Sequence, residues 1–223
     1  MTRSAPPISV VIPVFNGMPY IKAAIESALI ELPEDGELIV RDNGSTDGTA
    51  EWLRTASDPR IRAVYGAETI PVEDNWNAVL HEARGTYVKL LCADDLLEPG
   101  ALRRQLNAIQ LNDAVLVASR RKVIGANGRT VINAHGLGGN LYGPMPGIQA
   151  LKRSLLRGTN SFGEPASVLF RRDAALEAGG FRIAYPYVID IDFYSRILSR
   201  GDFVGLKSVD ADFRFVPGRR WLW

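Results

Sequence analysis

The chain has 223 residues, which is the size of one domain. Its 26 Lys and Arg residues nearly balance its 25 Asp and Glu residues, and 46% of the chain is hydrophobic. This composition excludes intrinsic disorder and a broad basic field for nucleic acid, so we expect no nucleic-acid partner. The single cysteine, Cys92, excludes an intramolecular disulfide and a multi-cysteine zinc site.

No stretch of the sequence contains the roughly 18–20 consecutive apolar residues that cross a bilayer. The start of the chain, Met1 to Pro7, lacks the charged and apolar pattern of a signal peptide. We therefore predict a cytoplasmic location, with peripheral association with a membrane left open. The chain closes on two tryptophans, Trp221 and Trp223, an ending that is expected of a truncated fragment, of a docking tail or of a segment packed on the core, with truncation favoured.

The first half of the chain alternates short buried strands with helices, as a parallel α/β sheet does. Strands are predicted at 8–14, 37–41, 61–65 and 86–92, and helices at about 19–32, around Trp52, and at 72–84. Polar segments at 15–17, 42–45 and 94–95 follow strand ends. Because ligands of parallel sheets bind at the carboxyl ends of the strands, we expect these segments to converge on one edge.

The second half of the chain is less regular. A helix is predicted from about 98 to 111 and a strand at 115–119, followed by a stretch rich in glycine and asparagine at 125–147. This stretch predicts a hairpin or surface loop, with a lid as the alternative. Helices are then predicted near 148–157, 172–178 and 189–200, and strands near 203–207 and 210–216. No linker interrupts the pattern, so a single domain over residues 1–223 is expected.

Two adjacent carboxylates, Asp94 and Asp95, end the fourth predicted strand. At the end of a buried strand they lose solvation and repel each other unless a cation joins them. Mg²⁺ and Mn²⁺ prefer carboxylate oxygens and often keep phosphate oxygens as further ligands. The pair therefore indicates a divalent-metal site, and a strand-end turn that caps the next helix is an alternative of equal weight.

Two further acidic segments have both a functional and a structural interpretation. Asp42 follows the second predicted strand, where its carboxylate could accept hydrogen bonds from a base or a ribose, and the alternative is a helix-capping connection. Asp190 lies near the start of an amphipathic helix, where the helix dipole alone favours a carboxylate. Its functional interpretation is a general base that faces the cleft.

In their order and spacing, these motifs resemble those of the family 2 glycosyltransferases, which are inverting enzymes of the GT-A fold. The resemblance extends from residue 8 to about residue 200. The segments that carry it are Pro13-Val14-Phe15-Asn16-Gly17, Asp42-Asn43-Gly44-Ser45-Thr46-Asp47-Gly48-Thr49, Asn77, Leu91-Cys92-Ala93-Asp94-Asp95, Gly179-Gly180-Phe181 and Asp190-Ile191-Asp192.

The resemblance implies an α/β fold of GT-A type, with a Rossmann-like, mostly parallel central sheet flanked by helices. The donor-binding part would span about 8–120 and the acceptor-side part about 121–223. The implied donor is a nucleotide-diphosphate-sugar, with a UDP-sugar favoured, and the implied acceptor is a saccharide or glycoconjugate. The implied cofactor is Mn²⁺ or Mg²⁺.

The resemblance also implies transfer with inversion by direct displacement, in which Asp190 is the catalytic base. Asp94 and Asp95 would hold the metal. The nucleotide-binding residues that it implies are Pro13, Val14, Phe15, Asn16, Asp42, Asn77, Ala93 and Asp94.

Three positions depart from the family's pattern. Cys92 replaces the first aspartate of Asp-x-Asp, Asn43 replaces a frequent second aspartate, and Ile189 replaces the glutamate that often precedes the catalytic carboxylate. These departures favour, as the alternative function, a catalytically inactive relative that still binds a nucleotide-sugar.

A second alternative is a sugar-nucleotide pyrophosphorylase. That class should carry a glycine-rich, basic phosphate loop after the first strand, and Asn16-Gly17-Met18-Pro19 is not such a loop. The terminal Arg219-Arg220-Trp221 is faintly similar to the Gln-x-x-Arg-Trp motif of processive synthases. Pro217 replaces the glutamine, so processivity is not expected.

Two other polar residues lie in or next to predicted strands. Lys89, in the middle of the fourth predicted strand, is expected to extend its amine to solvent, with contact to a diphosphate as the alternative. Glu164 precedes a strand at a place where a GT-A fold would bring the acceptor.

Overall fold

The computed structural model describes residues 6–183 and 188–216. Within these ranges the strands of one mixed sheet are β1 Ile8–Val14, β2 Glu37–Asp42, β3 Ile61–Tyr65, β4 Tyr87–Leu90, β5 Leu96–Leu97, β6 Leu116–Ile124, β7 Thr130–His135, β8 Gly143–Pro146, β9 Val168–Arg171 and β10 Asp202–Arg214. The helices are α1 Ile21–Glu31, α2 Thr49–Thr55, α3 Val72–Glu82, α4 Ala101–Leu111, α5 Gly147–Leu155, α6 Arg172–Glu177 and α7 Ile189–Leu198.

The strand order is β3-β2-β1-β4-β9-β6-β10-β5, with β7 added to β6 and β8 added to β10. Strands β3, β2, β1 and β4 are parallel, and so are β6 and β10. Strand β9 is antiparallel to both β4 and β6 and joins the two parallel groups. The donor-side strands therefore all end at one edge, as the sequence predicts.

Helices cover both faces of the central strands, which explains why β1 is buried along its whole length and is apolar except for Ser9. Successive side chains of a strand point to opposite faces. Accordingly, Val11 packs in the same cluster as Val79 of α3, whereas Val10 packs with Ile25 of α1 and Ile109 of α4. Two separate hydrophobic layers thus hold the sheet and position its carboxyl edge.

The second half contains the larger departures from the predicted elements. The predicted strand at 115–119 extends to Ile124 and forms a hairpin with β7, so the hairpin expected in 125–147 is present. The two strands predicted near 203–207 and 210–216 are one strand, β10, with register shifts between Gly205 and Ala211. These bulges interrupt the apolar alternation without ending the pairing with β6, which is why the pattern indicated two strands.

Lys89 lies in the interior of the sheet. Its Nζ atom donates a hydrogen bond of 2.8 Å to Oε1 of Gln105, and its side chain is fully buried. Burial lowers the pKa of this lysine to about 7. The expectation that this amine extends to solvent is therefore wrong, because Gln105 provides a hydrogen-bond partner inside the protein.

None of the helices in the described ranges is long and apolar enough to cross a lipid bilayer. The terminal Arg219-Arg220-Trp221 motif and Pro217 lie outside the residues that the structure describes.

Candidate functional site

The loops that follow β1 and β2 are joined by hydrogen bonds. The backbone N–H of Asn16 donates to Oγ of Ser45 at 2.8 Å, and the Asn16 Oδ1 atom accepts from the N–H of Thr46 at 2.8 Å. Gly17 donates its N–H to Oγ1 of Thr49 at 3.0 Å. These contacts bring two of the three predicted polar segments together. The Asn16 side chain takes part in them by holding the loop after β1 against the loop after β2.

The other residues expected on the nucleotide side of this edge differ in exposure. Pro13 and Val14 are the last two residues of β1, and both are buried beneath the carboxyl edge of the sheet. Phe15 is exposed and Ala93 is partly buried. Phe15 therefore presents an aromatic surface at the end of the first strand, and its role in binding a nucleotide stays a prediction.

Asp42 ends β2 as a buried carboxylate. Its Oδ2 atom accepts the backbone N–H of Ser45 at 3.2 Å, whereas its Oδ1 atom has no hydrogen-bond partner among the described residues. The next residue, Asn43, uses its amide to bind the backbone of Ile70, accepting at 3.1 Å and donating at 2.8 Å. The departure at Asn43 thus serves a local structural contact, while Asp42 keeps one acceptor oxygen open.

Asp94 and Asp95 lie in the turn that follows β4, and both are buried. The Asp95 N–H donates to the carbonyl of Cys92, which closes the turn. Oδ1 of Asp95 accepts the backbone N–H of Arg214 at 2.9 Å, and Oδ2 has no partner in the described part of the chain. Burial raises the pKa of Asp95 well above its ordinary value, and the charge of Asp94 raises it further.

Arg214, at the end of β10, is hydrogen-bonded to this acidic turn. Its Nε atom donates to the carbonyl of Asp94 at 2.8 Å, and its Nη1 atom donates to the carbonyl of Gly125 at 3.0 Å. Its guanidinium group also lies over the ring of Tyr20, 4.6 Å from the ring centroid. One buried arginine therefore connects the turn, the β6–β7 hairpin and the start of α1.

The donor set at the acidic turn fits a divalent cation that is bound together with a diphosphate. No three His, Cys, Asp or Glu side chains among residues 6–183 and 188–216 form a complete metal site by themselves. Asp94 and Asp95 nevertheless supply hard oxygen donors, and Asp95 has one buried oxygen unpaired. Burial raises the pKa of the Cys92 thiol well above its ordinary value, so this sulfur is protonated and is not a replacement carboxylate.

Asp190 lies in the first turn of α7, at the other side of the candidate site. Its Oδ1 atom is buried and has no hydrogen-bond partner among the described residues. Burial raises the pKa of Asp190 to about 7; the charge of Glu164 raises it too, and Arg121 opposes them. A carboxylate with this pKa can exchange a proton near neutral pH.

Glu164 and Arg121 form an ion pair beside Asp190. Arg121 is a buried residue of β6, and its Nη2 atom donates to Oε1 of Glu164 at 2.8 Å while its Nε atom contacts Oε2. Sequence analysis placed Glu164 on the acceptor side but missed Arg121. The available signal was a run of three basic residues, Arg120-Arg121-Lys122, at the end of an apolar strand.

An aromatic cluster seats the helix that carries Asp190. Phe193 packs on Phe181 with ring centroids 3.9 Å apart and on Phe170 at 5.2 Å. The amide of Asn77 fixes the backbone of Phe181, accepting its N–H at 2.7 Å and donating to its carbonyl at 2.9 Å. Because both polar ends of Asn77 make this contact, the structure gives it a positioning role, and its predicted contact with a nucleotide remains a prediction.

The second aspartate of the motif, Asp192, has a different environment from Asp190. It accepts hydrogen bonds from Arg196 at 2.6 Å and from Arg182 at 3.0 Å. These two arginines lower the pKa of Asp192 although burial opposes them. Asp192 is therefore a paired structural carboxylate, and Asp190 is the one available for chemistry.

Sequence comparison identifies relatives of the chain. The family model described as "Glycosyl transferase family 2" matches residues 9–178. The chain is 30% identical over 202 residues to the uncharacterized protein MT1568 of Mycobacterium tuberculosis, a match that covers 87% of this chain and 63% of that protein. It is 35% identical over 108 residues to the putative teichuronic acid biosynthesis glycosyltransferase TuaG of Bacillus subtilis, covering 48% of this chain and 43% of TuaG.

Structural comparison agrees with this assignment. The crystal structure of S. aureus TarS 1-349 in complex with UDP-GlcNAc superimposes with a TM-score of 0.74 and 17% identity, covering 95% of this chain and 59% of that one. This likeness confirms the predicted GT-A type of fold. The chain thus spans about three fifths of the length of several proteins that it matches. With its family match over residues 9–178, the chain belongs to glycosyl transferase family 2.

Proposed function

We propose that the chain transfers a sugar from a UDP-sugar to a hydroxyl group of a saccharide or glycoconjugate acceptor, with inversion and with the help of Mn²⁺ or Mg²⁺. The observation that carries this proposal is the Asp190 carboxylate, which has an unpaired buried oxygen and a pKa of about 7. The TarS structure that holds UDP-GlcNAc supports the donor class. The proposal includes a cytoplasmic location, where reducing conditions suit a chain with a single cysteine.

In this proposal Asp190 accepts the proton of the acceptor hydroxyl as that oxygen attacks the anomeric carbon. The bond between the anomeric carbon and the diphosphate oxygen breaks in the same displacement, and UDP leaves with its electron pair. One base is sufficient because no covalent sugar intermediate forms. Burial supports this role because it is the main cause of the raised pKa of Asp190, to which Glu164 adds and which Arg121 opposes.

The donor would lie along the edge formed by Pro13 to Asn16 and by Asp42, whose Oδ1 atom is open to a hydroxyl or base N–H. Asp94 and Asp95 would hold the metal. When bound, the metal neutralises charge on the leaving diphosphate. The protein's own part is to keep both carboxylates in one turn, through the contacts of Arg214 with that turn.

A second function is supported by Cys92 and Ile189, which replace acidic residues of the family's pattern. A protonated thiol at position 92 leaves fewer charges for a metal, and Ile189 is buried in the core. These observations support a relative that binds the nucleotide-sugar without transferring it. The two functions differ in whether any donor is consumed.

The test is turnover of a panel of nucleotide-sugars by the wild type and by Asp190→Asn, with Asp192→Asn as the matched control on the same helix. We expect Asp190→Asn to lose roughly 10²–10⁴-fold in rate, the usual contribution of a general base, and Asp192→Asn to stay within a few-fold of the wild type. If Asp190→Asn transfers sugar as fast as the wild type, the base assignment is wrong. If UDP binds but no donor is consumed by the wild type, the inactive alternative is correct.

A further inference from the structure

The charges of this nearly neutral chain are unevenly distributed. Residues 114–163 contain no Asp or Glu, and they carry seven basic residues: Arg120, Arg121, Lys122, Arg129, Lys152, Arg153 and Arg157. The whole chain has a net charge of only +1, so the rest of the chain is acidic overall. Arg121 and Lys122 pair with acids elsewhere, in Glu164 and Glu98. The basic residues around α5 belong to this acid-free segment.

Helix α5 points an apolar stripe away from the protein. Ile148, Leu155 and Leu156 have 45%, 63% and 89% of their surface exposed, and the exposed Lys152 lies between them. Positions i, i+4, i+7 and i+8 share one face of a helix, and such an apolar stripe normally faces the core. Here the outward face carries the large apolar side chains.

The orientation of α5 is fixed by its opposite face. Gly147, Ala150 and Ser154 are buried, and the N–H of Gly147 donates to the carbonyl of Gly201. A Cβ atom on Gly147 would lie 2.2 Å from the carbonyl oxygens of Leu198 and Gly201, so the helix is in close backbone contact with the end of α7. Rotation of the stripe into the core would require this contact to break.

The charges next to the stripe are basic. Arg157 follows Leu156 directly and is exposed, as is Lys152 within the stripe. The pairing of β8 with β10 places Asp202, an exposed acid, opposite Pro146 at the start of α5. The leucines are at the other end of the helix, about 12 Å away along its axis. An apolar face bordered by cations fits an anionic lipid surface, which attracts basic residues and accepts apolar side chains at the headgroup boundary.

We propose that α5 and the residues that follow it, 147–157, dock on an anionic lipid bilayer. Leu155, Leu156 and Ile148 enter the headgroup boundary, and Lys152 and Arg157 contact anionic headgroups. This proposal does not rest on the proposed catalytic function, because no residue of the Asp42, Asp94 or Asp190 segments takes part in it.

The experiment is co-sedimentation of the full chain with vesicles of phosphatidylcholine that contain about a third phosphatidylglycerol, as an anionic surface, compared with phosphatidylcholine alone. We expect binding to the anionic vesicles that weakens with added salt. The double variant Leu155→Ser with Leu156→Ser should bind roughly tenfold less. These side chains are exposed, so the variant should keep its thermal stability.

A matched control pair comes from two other exposed apolar side chains, Ile30 and Leu111, which are 74% and 84% exposed. They lie near acids in sequence, at Glu31 and Asp113, so their replacement by Ser should leave vesicle binding unchanged. The variant Lys152→Gln with Arg157→Gln should bind more weakly and depend less on salt.

Three outcomes would overturn the proposal. The first is that the wild type does not sediment with anionic vesicles. The second is that replacing Ile30 and Leu111 reduces binding as much as replacing Leu155 and Leu156. The third is that light scattering shows a dimer that the Leu155→Ser, Leu156→Ser variant abolishes, while the wild type does not bind vesicles. The apolar face of α5 would then bind a second copy of the chain.

Discussion

Replacing Asp190 with asparagine should make the protein more stable while it loses activity. In the folded protein, burial and Glu164 raise the pKa of Asp190 from 3.8 to about 7. Between these two pH values, the native state binds a proton that the unfolded state has already released. The stability that Asp190 contributes is therefore complete below about pH 4 and is lost as the pH rises to about 7.

The size of the effect follows from the pKa difference, which is about three units. At 1.36 kcal/mol for each unit, full burial would give an upper limit of about 4 kcal/mol. The Asp190 side chain is partly open to solvent, which screens its charge. We therefore expect Asp190→Asn to raise the free energy of unfolding by about 1–2 kcal/mol at pH 8, with the gain shrinking towards pH 5.

The assay is urea denaturation of the wild type and of Asp190→Asn at pH 5 and pH 8, with a chelator present to remove metal ions. Asp192→Asn is the matched control, and we expect it to change the free energy of unfolding in the opposite direction. Arg196 and Arg182 lower the pKa of Asp192, so removal of this carboxylate should reduce stability at pH 8. An equal stability difference between Asp190→Asn and the wild type at both pH values would refute the raised pKa of Asp190.

Two more predictions concern the acidic turn and the seat of α7. In isothermal titration calorimetry, UDP should bind the wild type about tenfold more tightly with Mn²⁺ than with a chelator, and Asp95→Asn should lose that gain; equal affinities would contradict the metal assignment. In thermal or urea unfolding, Gly180→Ala should cost about 1–3 kcal/mol, because φ is +66° and the new Cβ would lie 2.3 Å from Oδ1 of Asn77. Gly179→Ala, at φ +80° with no atom within 4 Å of its Cβ, should cost about 1 kcal/mol, and equal losses would show that the Asn77 contact is not tight.

The donor side of the fold could be predicted because its signals are local. The run at 8–14 is apolar except for Ser9, as expected for a strand covered on both faces, and the polar residues that follow mark its end. The same holds for Asp42, which ends β2, and for Asp94-Asp95, where the chain turns after β4. Topology then brings these ends to one edge without further information.

The contacts of Arg121 and Arg214 could not be predicted in the same way. Each is a charged residue within a strand, a pattern that usually indicates an exposed side chain, yet each is buried by partners distant in sequence. Arg121 meets Glu164 across 43 residues, and Arg214 meets Asp95 across 119. The short strands β5, β8 and β9 are also difficult to predict. A segment of two to four residues is too short to show the alternation of apolar and polar side chains, and its pairing with neighbouring strands defines it.

The contact between Arg214 and the Asp94-Asp95 turn also bears on how the protein is made. A ribosome releases the turn well before it releases β10, so the donor edge cannot be completed until about 120 more residues have been synthesised. A fragment that stops at residue 178, where the family match ends, would contain neither Asp190 nor β10. It would also leave the paired edge of β6 open to other chains, which favours aggregation. Expression of the catalytic unit should therefore extend at least through Arg214.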